Sequence, residues 1–169
     1  RVDLKHAESQ VARQVQQGFL PRETPAIAGY EFFHFYEPAS QVGGDFFDYV
    51  DLPNGEFGFA VGDVAGKGAP AALLTAVIQG VFSAQAGAGS GPALAFTRVN
   101  QALIRRAIES RFATAFYGVV SQDGTLVYCN AGHNPPLLLR AAGPIERLKA
   151  KGTVLGIFPD IGYEEQRVA

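Results

Sequence analysis

Asp45 and Asp63 are the residues whose type and setting best suit chemistry. Each follows glycine, in Val42-Gly43-Gly44-Asp45 and in Val61-Gly62-Asp63-Val64-Ala65-Gly66-Lys67-Gly68. A carboxylate in a run of glycines is a poor core residue and an awkward surface charge, while glycines leave room around it for ligands. Two such carboxylates suit a hard divalent cation, because Mg²⁺ and Mn²⁺ take carboxylate, carbonyl and water oxygens. Spacing alone leaves a structural alternative open, with Asp45 in a turn or cap and Asp63 capping the helix that follows.

The elements around them explain how they would meet. Phe46 to Leu52 and Glu56 to Val61 flank Pro53-Asn54-Gly55, and Asn-Gly between two apolar runs signals a hairpin because both residues tolerate positive φ. Asp45 enters this hairpin and Asp63 leaves it. Antiparallel pairing then brings the two carboxylates to one sheet edge although 18 positions separate them. From Pro70 to about Ala86 the period becomes helical, with Leu73, Val77, Val81 and Leu74, Ile78, Phe82 as adjacent rows. A glycine-rich break at 87–92 precedes a second helix to about Glu109, with Phe96, Val99, Leu103 and Ala107 on one face.

Upstream, residues 1–19 carry a thin apolar stripe of Leu4, Ala7, Val11, Val15 and Phe19, stopped by Pro21. Such a stripe suits packing on its own domain or the end of a coiled-coil linker from an upstream module. The division is a linker or regulatory helix over 1–19 and a domain over 20–169. Aromatic density makes 29–38 β-type, with His34 an ordinary strand residue. Strand signals return over 112–120, 125–130, 136–140, 145–149 and 163–168, separated by turns rather than helices. The expected fold class is α+β, a layered sandwich with antiparallel sheets and a helical hairpin on one face.

Composition bounds the partners. The 169 residues, 47% hydrophobic and 11% aromatic, suffice for a sizeable core. Fourteen basic against 16 acidic residues leave a net charge of −2, so no global charge calls for nucleic acid or an anionic membrane. Cys129 is the single cysteine and cannot form an internal disulfide. No signal peptide or 18-residue apolar span is read from the sequence, which gives a cytoplasmic expectation with no membrane insertion.

Other chemistries fit poorly. His6, His34 and His133 are scattered and lack zinc spacing. No Gly-x-Ser-x-Gly elbow is present. The Gly62 to Gly68 loop follows a strand and opens a helix, as a phosphate loop does, but Gly68 stands where Ser or Thr is needed and Asp63 would repel phosphates.

Four stretches together carry a resemblance. Val42-Gly43-Gly44-Asp45-Phe46-Phe47-Asp48, Gly62 through Ala72, Phe112-Ala113-Thr114-Ala115 and Ala131-Gly132-His133-Asn134-Pro135-Pro136 resemble the bacterial sporulation stage II protein E type of metal-dependent protein serine/threonine phosphatases. The match covers nearly the whole chain, and Gln17-Gly18-Phe19-Leu20-Pro21 and Tyr36-Glu37-Pro38-Ala39 resemble the family's opening. The resemblance implies an α-β-β-α sandwich of two antiparallel sheets and a two-metal centre of Mn²⁺ or Mg²⁺ at one end. By motif position Asp63 would bridge the ions, with Asp45 and the backbone carbonyl of Val64 completing the protein ligands of one. Gly43, Gly44, Gly62, Gly66 and Gly68 would shape the site. A metal-activated water would attack the phosphorus of phosphoserine or phosphothreonine in line.

Departures accompany the matches. Ala65 stands where the eukaryotic branch has a histidine donor. His133 and Lys67 are candidates for catalytic roles by side chain, although a loop histidine beside prolines is more often structural and a solvated or helix-supporting lysine is the commoner case. The family's later aspartates, which serve the second metal, have no counterpart before Ala169, and Asp160 lies in a turn. Half a metal centre, one ion or none, and weak or absent activity are therefore expected of this stretch. The implied substrate is a phosphorylated anti-sigma-factor antagonist in a stress or developmental pathway, and the implied controller an upstream sensor or receiver module. Dimerisation through the helices is a further expectation. The alternative from another class is a non-catalytic signalling or scaffold domain that keeps the fold.

Overall fold

The computed structural model describes residues 2–38, 41–106, 111–149 and 151–169. Ala39 of the opening motif and the end of the second predicted helix, 107–109, lie outside these. Three helices and seven strands follow the chain as α1 (Val2–Phe19), β1 (Asp45–Asp51), β2 (Phe57–Val64), α2 (Ala69–Gly87), α3 (Pro92–Arg105), β3 (Ala113–Val120), β4 (Leu126–Ala131), β5 (Leu137–Leu138), β6 (Glu146–Arg147) and β7 (Gln166–Val168). β1, β2, β3, β4 and β7 pair in that order as an antiparallel sheet, and β5 pairs with β6 in a separate ribbon. The α+β class, the antiparallel pairing and the helical hairpin are as the sequence predicts.

Alternation along the strands sorts side chains into two faces. On one face Phe46, Ala60, Tyr117 and Cys129 meet Leu74, Ile78 and Phe82 of α2 and Phe96, Val99 and Leu103 of α3. Phe82 stands edge-on to Tyr117 at 4.7 Å between ring centroids. Each such fully buried side chain contributes about 1.5–3 kcal/mol by leaving water. On the other face Phe116, Tyr128 and Leu148 form a smaller cluster with Phe59, Leu126 and Leu138. The ribbon β5–β6 thus supplies the second layer of the sandwich, and no helix among the described residues is part of that cluster.

Three expectations are corrected. Residues 29–38 form no ladder; their rings pack on the sheet instead, Phe32 against Phe57 at 4.8 Å and His34 against Phe47 at 4.5 Å. Aromatic density there encodes ring contacts rather than backbone pairing. The predicted strands 136–140 and 145–149 shrink to two residues each, in an exposed ribbon that begins just after Pro135 and Pro136. Finally, α2 is long and apolar enough by length and composition to cross a membrane. Leu74, Ile78 and Phe82 of that helix are nevertheless core residues here, which accounts for its apolar character.

Candidate metal centre

The β1–β2 hairpin closes through Pro53–Gly55, where Gly55 takes φ of 72° and Leu52 N–H donates to the Glu56 carbonyl at 3.0 Å. That turn fixes the register, and the register places Asp45 directly opposite Asp63. Asp63 is in turn opposite Thr114 on β3. The three residues form a row across three strands, on the face away from α2 and α3. His133, beyond the end of β4, joins the row through Nδ1, 2.8 Å from Thr114 Oγ1.

The loop that carries Asp45 is held from three elements. Gln16 of α1 clamps Gly43, donating from Nε2 to its carbonyl at 2.6 Å and accepting from its N–H at 3.0 Å. Thr75 of α2 donates from Oγ1 to the Gly44 carbonyl at 3.0 Å, and Val64 N–H donates to the same carbonyl at 3.0 Å. A Cβ on Gly44 would collide with the Val64 carbonyl and stand 3.2 Å from Asp63 Oδ1. Glycine is required at 44 because the second hairpin strand's oxygens converge there. The carbonyl proposed as a ligand and the Asp63 carboxylate therefore border one cradle.

The electrostatics match a site built for a cation. Partial burial raises the Asp63 pKa, and the Asp45 carboxylate, close enough to share a hydrogen bond with it, raises it further. His133 acts in the opposite sense on Asp63. The imidazole is itself held below its ordinary pKa by burial, against the pull of Asp63 and Asp45, so it is neutral at pH 7. Asn130 secures the histidine by its backbone, accepting from His133 N–H at 2.7 Å and donating to its carbonyl at 2.9 Å. The hydroxyl of Tyr36 is buried without a hydrogen-bond partner, and a Cβ on Gly43 would stand 3.0 Å from it.

Two facing carboxylates and a backbone carbonyl are oxygen donors suited to Mg²⁺ or Mn²⁺. No group of three His, Cys, Asp or Glu residues placed to hold one metal ion occurs among the described residues. Lys67 is exposed on the loop after Asp63, outside the row. Gly62 packs under the Phe46 ring, Gly66 and Gly68 turn the loop with positive φ, and α2 starts immediately after Gly68. Sequence reasoning did not single out Thr114, Asn130, Gln16 or Thr75. Thr114 stood inside a recognised motif without a role, and Asn130 acts three residues before His133; Gln16 and Thr75 act through contacts that only the fold creates.

Comparison with known proteins identifies the family. The family described as Stage II sporulation protein E (SpoIIE) matches residues 53–169. Phosphoserine phosphatase RsbU of Bacillus subtilis is 30% identical over 161 residues, covering 94% of this chain and 48% of that protein. Protein IcfG of Synechocystis is 30% identical over 185 residues, covering 93% of this chain and 29% of that protein. The chain thus spans under half the length of these curated relatives. The solved SiaA-PP2C domain of Pseudomonas aeruginosa superposes with a TM-score of 0.81 at 25% identity, over 98% of this chain and 67% of that one. With more than half its residues matched by the family pattern, the chain belongs to the SpoIIE family of PP2C-type phosphatase domains.

Proposed function

We propose that the chain is the part of a metal-dependent protein serine/threonine phosphatase that carries Asp45, Asp63 and the Val64 carbonyl as ligands for Mg²⁺ or Mn²⁺. The observation that supports it most directly is the register pairing of Asp45 with Asp63 on an open sheet end. When bound, such ions activate water and offset charge on a phosphoryl group. The chain's own residues do the positioning. Gln16, Thr75 and Val64 N–H hold the Asp45 loop, and the Thr114–His133 pair borders Asp63. His133, bonded through Nδ1 to the Thr114 hydroxyl, is better placed to orient Thr114 than to protonate a leaving group.

The phosphoserine phosphatase activity named for RsbU favours a phosphoserine or phosphothreonine protein as substrate. Within that class we propose an anti-sigma-factor antagonist, acted on in the cytoplasm under control of a sensor or receiver module. The exposed Val11, Val15 and Phe19 of α1, at 58%, 56% and 49% of full exposure, are spaced to pair with a second copy. Sedimentation at micromolar concentration should show a dimer. A monomer there removes that element and leaves the enzymatic reading intact.

The direct test is manganese-dependent release of phosphate from a phosphoserine protein by the chain in its full-length parent, with Asp63→Asn as comparison. Activity that survives the substitution sinks the ligand assignment. Manganese binding to the wild type with no hydrolysis of any phosphoprotein tried would instead favour a scaffold domain.

A further inference from the structure

Arg111 precedes Phe112 on the approach to β3, and its side chain lies over the loop that leaves Asp63. A Cβ placed on Gly66 would stand 2.8 Å from Arg111 Nη1, so the guanidinium end lies against the open side of this glycine. Gly66 also takes φ of 109°, which other residues rarely adopt. Backbone pairings fix the approach. Ala65 N–H donates to the Phe112 carbonyl at 2.8 Å, and Ala113 and Leu155 exchange hydrogen bonds at 3.0 and 2.8 Å.

Within this frame Arg111 is half-buried, and among the described residues its guanidinium has no hydrogen bond or ion pair. The charges acting on Asp63 are those of Asp45 and His133, so Arg111 is not engaged in neutralising that carboxylate. A partly desolvated cation without an anion has lost hydration and gained nothing for it. A planar fork of five donors matches phosphate oxygens bidentately, as a lysine does not. Lys67, on the same loop, is exposed and offers only a point charge.

We propose that Arg111 binds substrate phosphate, its fork taking non-bridging oxygens of a phosphate monoester presented to the Asp45–Asp63 centre from its place against Gly66. The assignment rests on the phosphatase reading and adds a residue to it. No bond to Arg111 forms or breaks; it holds the phosphoryl group in place and offsets its charge.

Calorimetric titration of the chain with inorganic phosphate, in magnesium buffer, tests this. Arg111→Ala should weaken binding about tenfold or more, the loss expected for a charged hydrogen bond, and Arg111→Lys should lose less. Arg140→Ala removes an equal charge from the exposed Arg140–Glu146 pair, 2.7 Å apart, and should leave phosphate affinity unchanged. Equal affinity of wild type and Arg111→Ala, or no phosphate binding by wild type, overturns the proposal. Kinetics of the full-length parent on a phosphoserine peptide separate it from the reading beneath it. Hydrolysis that requires Asp63 but keeps wild-type KM and kcat in Arg111→Ala removes Arg111 and leaves the phosphatase; Arg111-dependent phosphate binding without Asp63-dependent hydrolysis does the reverse.

Discussion

The two faces of the five-stranded sheet use similar residues for opposite ends. Toward α2 and α3, polar groups are absorbed: Thr75 bonds the Gly44 and Ala71 carbonyls, and Asn100 spans the Phe158 carbonyl and Gly156 N–H. On the other face, Asp45, Asp63, Thr114 and His133 line one end with much of their capacity directed at one another. Asp45 and Asp48 make the contrast within one strand. Three positions apart, they point to opposite faces. Asp48 accepts from Ser83 Oγ at 2.8 Å and from Tyr49 N–H at 2.9 Å, whereas Asp45 faces a second carboxylate. Sequence distance of an odd number along a strand thus separates a structural carboxylate from a functional one.

The comparison breaks most visibly at Asp63. In the full-length parent, Asp63→Asn should lower manganese-dependent hydrolysis by roughly 10²- to 10³-fold, the several kcal/mol that a metal ligand supplies. The same substitution should leave the urea midpoint nearly unchanged or raise it, because it removes one of two facing charges. A midpoint that falls as steeply as the activity would place Asp63 with the structural carboxylates. Stability should respond in the reverse pattern on the helix-covered face. Phe82→Ala should cost about 3–5 kcal/mol in urea unfolding, since the ring is 1% exposed against Tyr117. Phe33→Ala, 89% exposed, should stay within about 0.5 kcal/mol.

Between these lies the clamp that ties α1 to the site. Gln16→Ala leaves the Gly43 N–H and carbonyl without their partner, which costs about 1–3 kcal/mol for part-buried groups. Loss of order at Gly43 should also weaken manganese affinity, measured by calorimetry. Unchanged affinity in a destabilised variant would make the clamp a matter of stability alone.

These contrasts show what the chain disclosed in advance. The Asn-Gly turn and the alternation around it made the Asp45–Asp63 encounter legible, because a short hairpin is local and its register follows from its turn. The helical hairpin was legible from its 3.6-residue period. The row's extension to Thr114 and His133 was not, since β2 and β3 pair across the whole helical hairpin and His133 joins Thr114 only from beyond the end of β4. Gln16 reaches Gly43 across 27 positions for the same reason. Residues 29–38 misled in another way: ring packing and backbone pairing select the same aromatic residues, and only the fold decides between them.

The smallest expected effect tests the Asp45–Asp48 contrast directly. Burial raises the Asp48 pKa from 3.8, although the bonds from Ser83 and Tyr49 oppose the shift. The folded state then holds this proton more tightly than the unfolded chain, so stability from Asp48 declines as pH rises through the interval above 3.8 and stays lost at neutrality. Asp48→Asn keeps an acceptor for Tyr49 N–H, offers Ser83 a donor and removes the ionisation. The variant should therefore unfold at higher urea than wild type at pH 7, by less than about 1 kcal/mol because solvent screens a partly exposed group. The difference should shrink toward the acid side, where Asp48 is protonated. A variant less stable than wild type at pH 7 would mean that the two hydrogen bonds outweigh burial, and that Asp48, for all its structural position, is held as a charge.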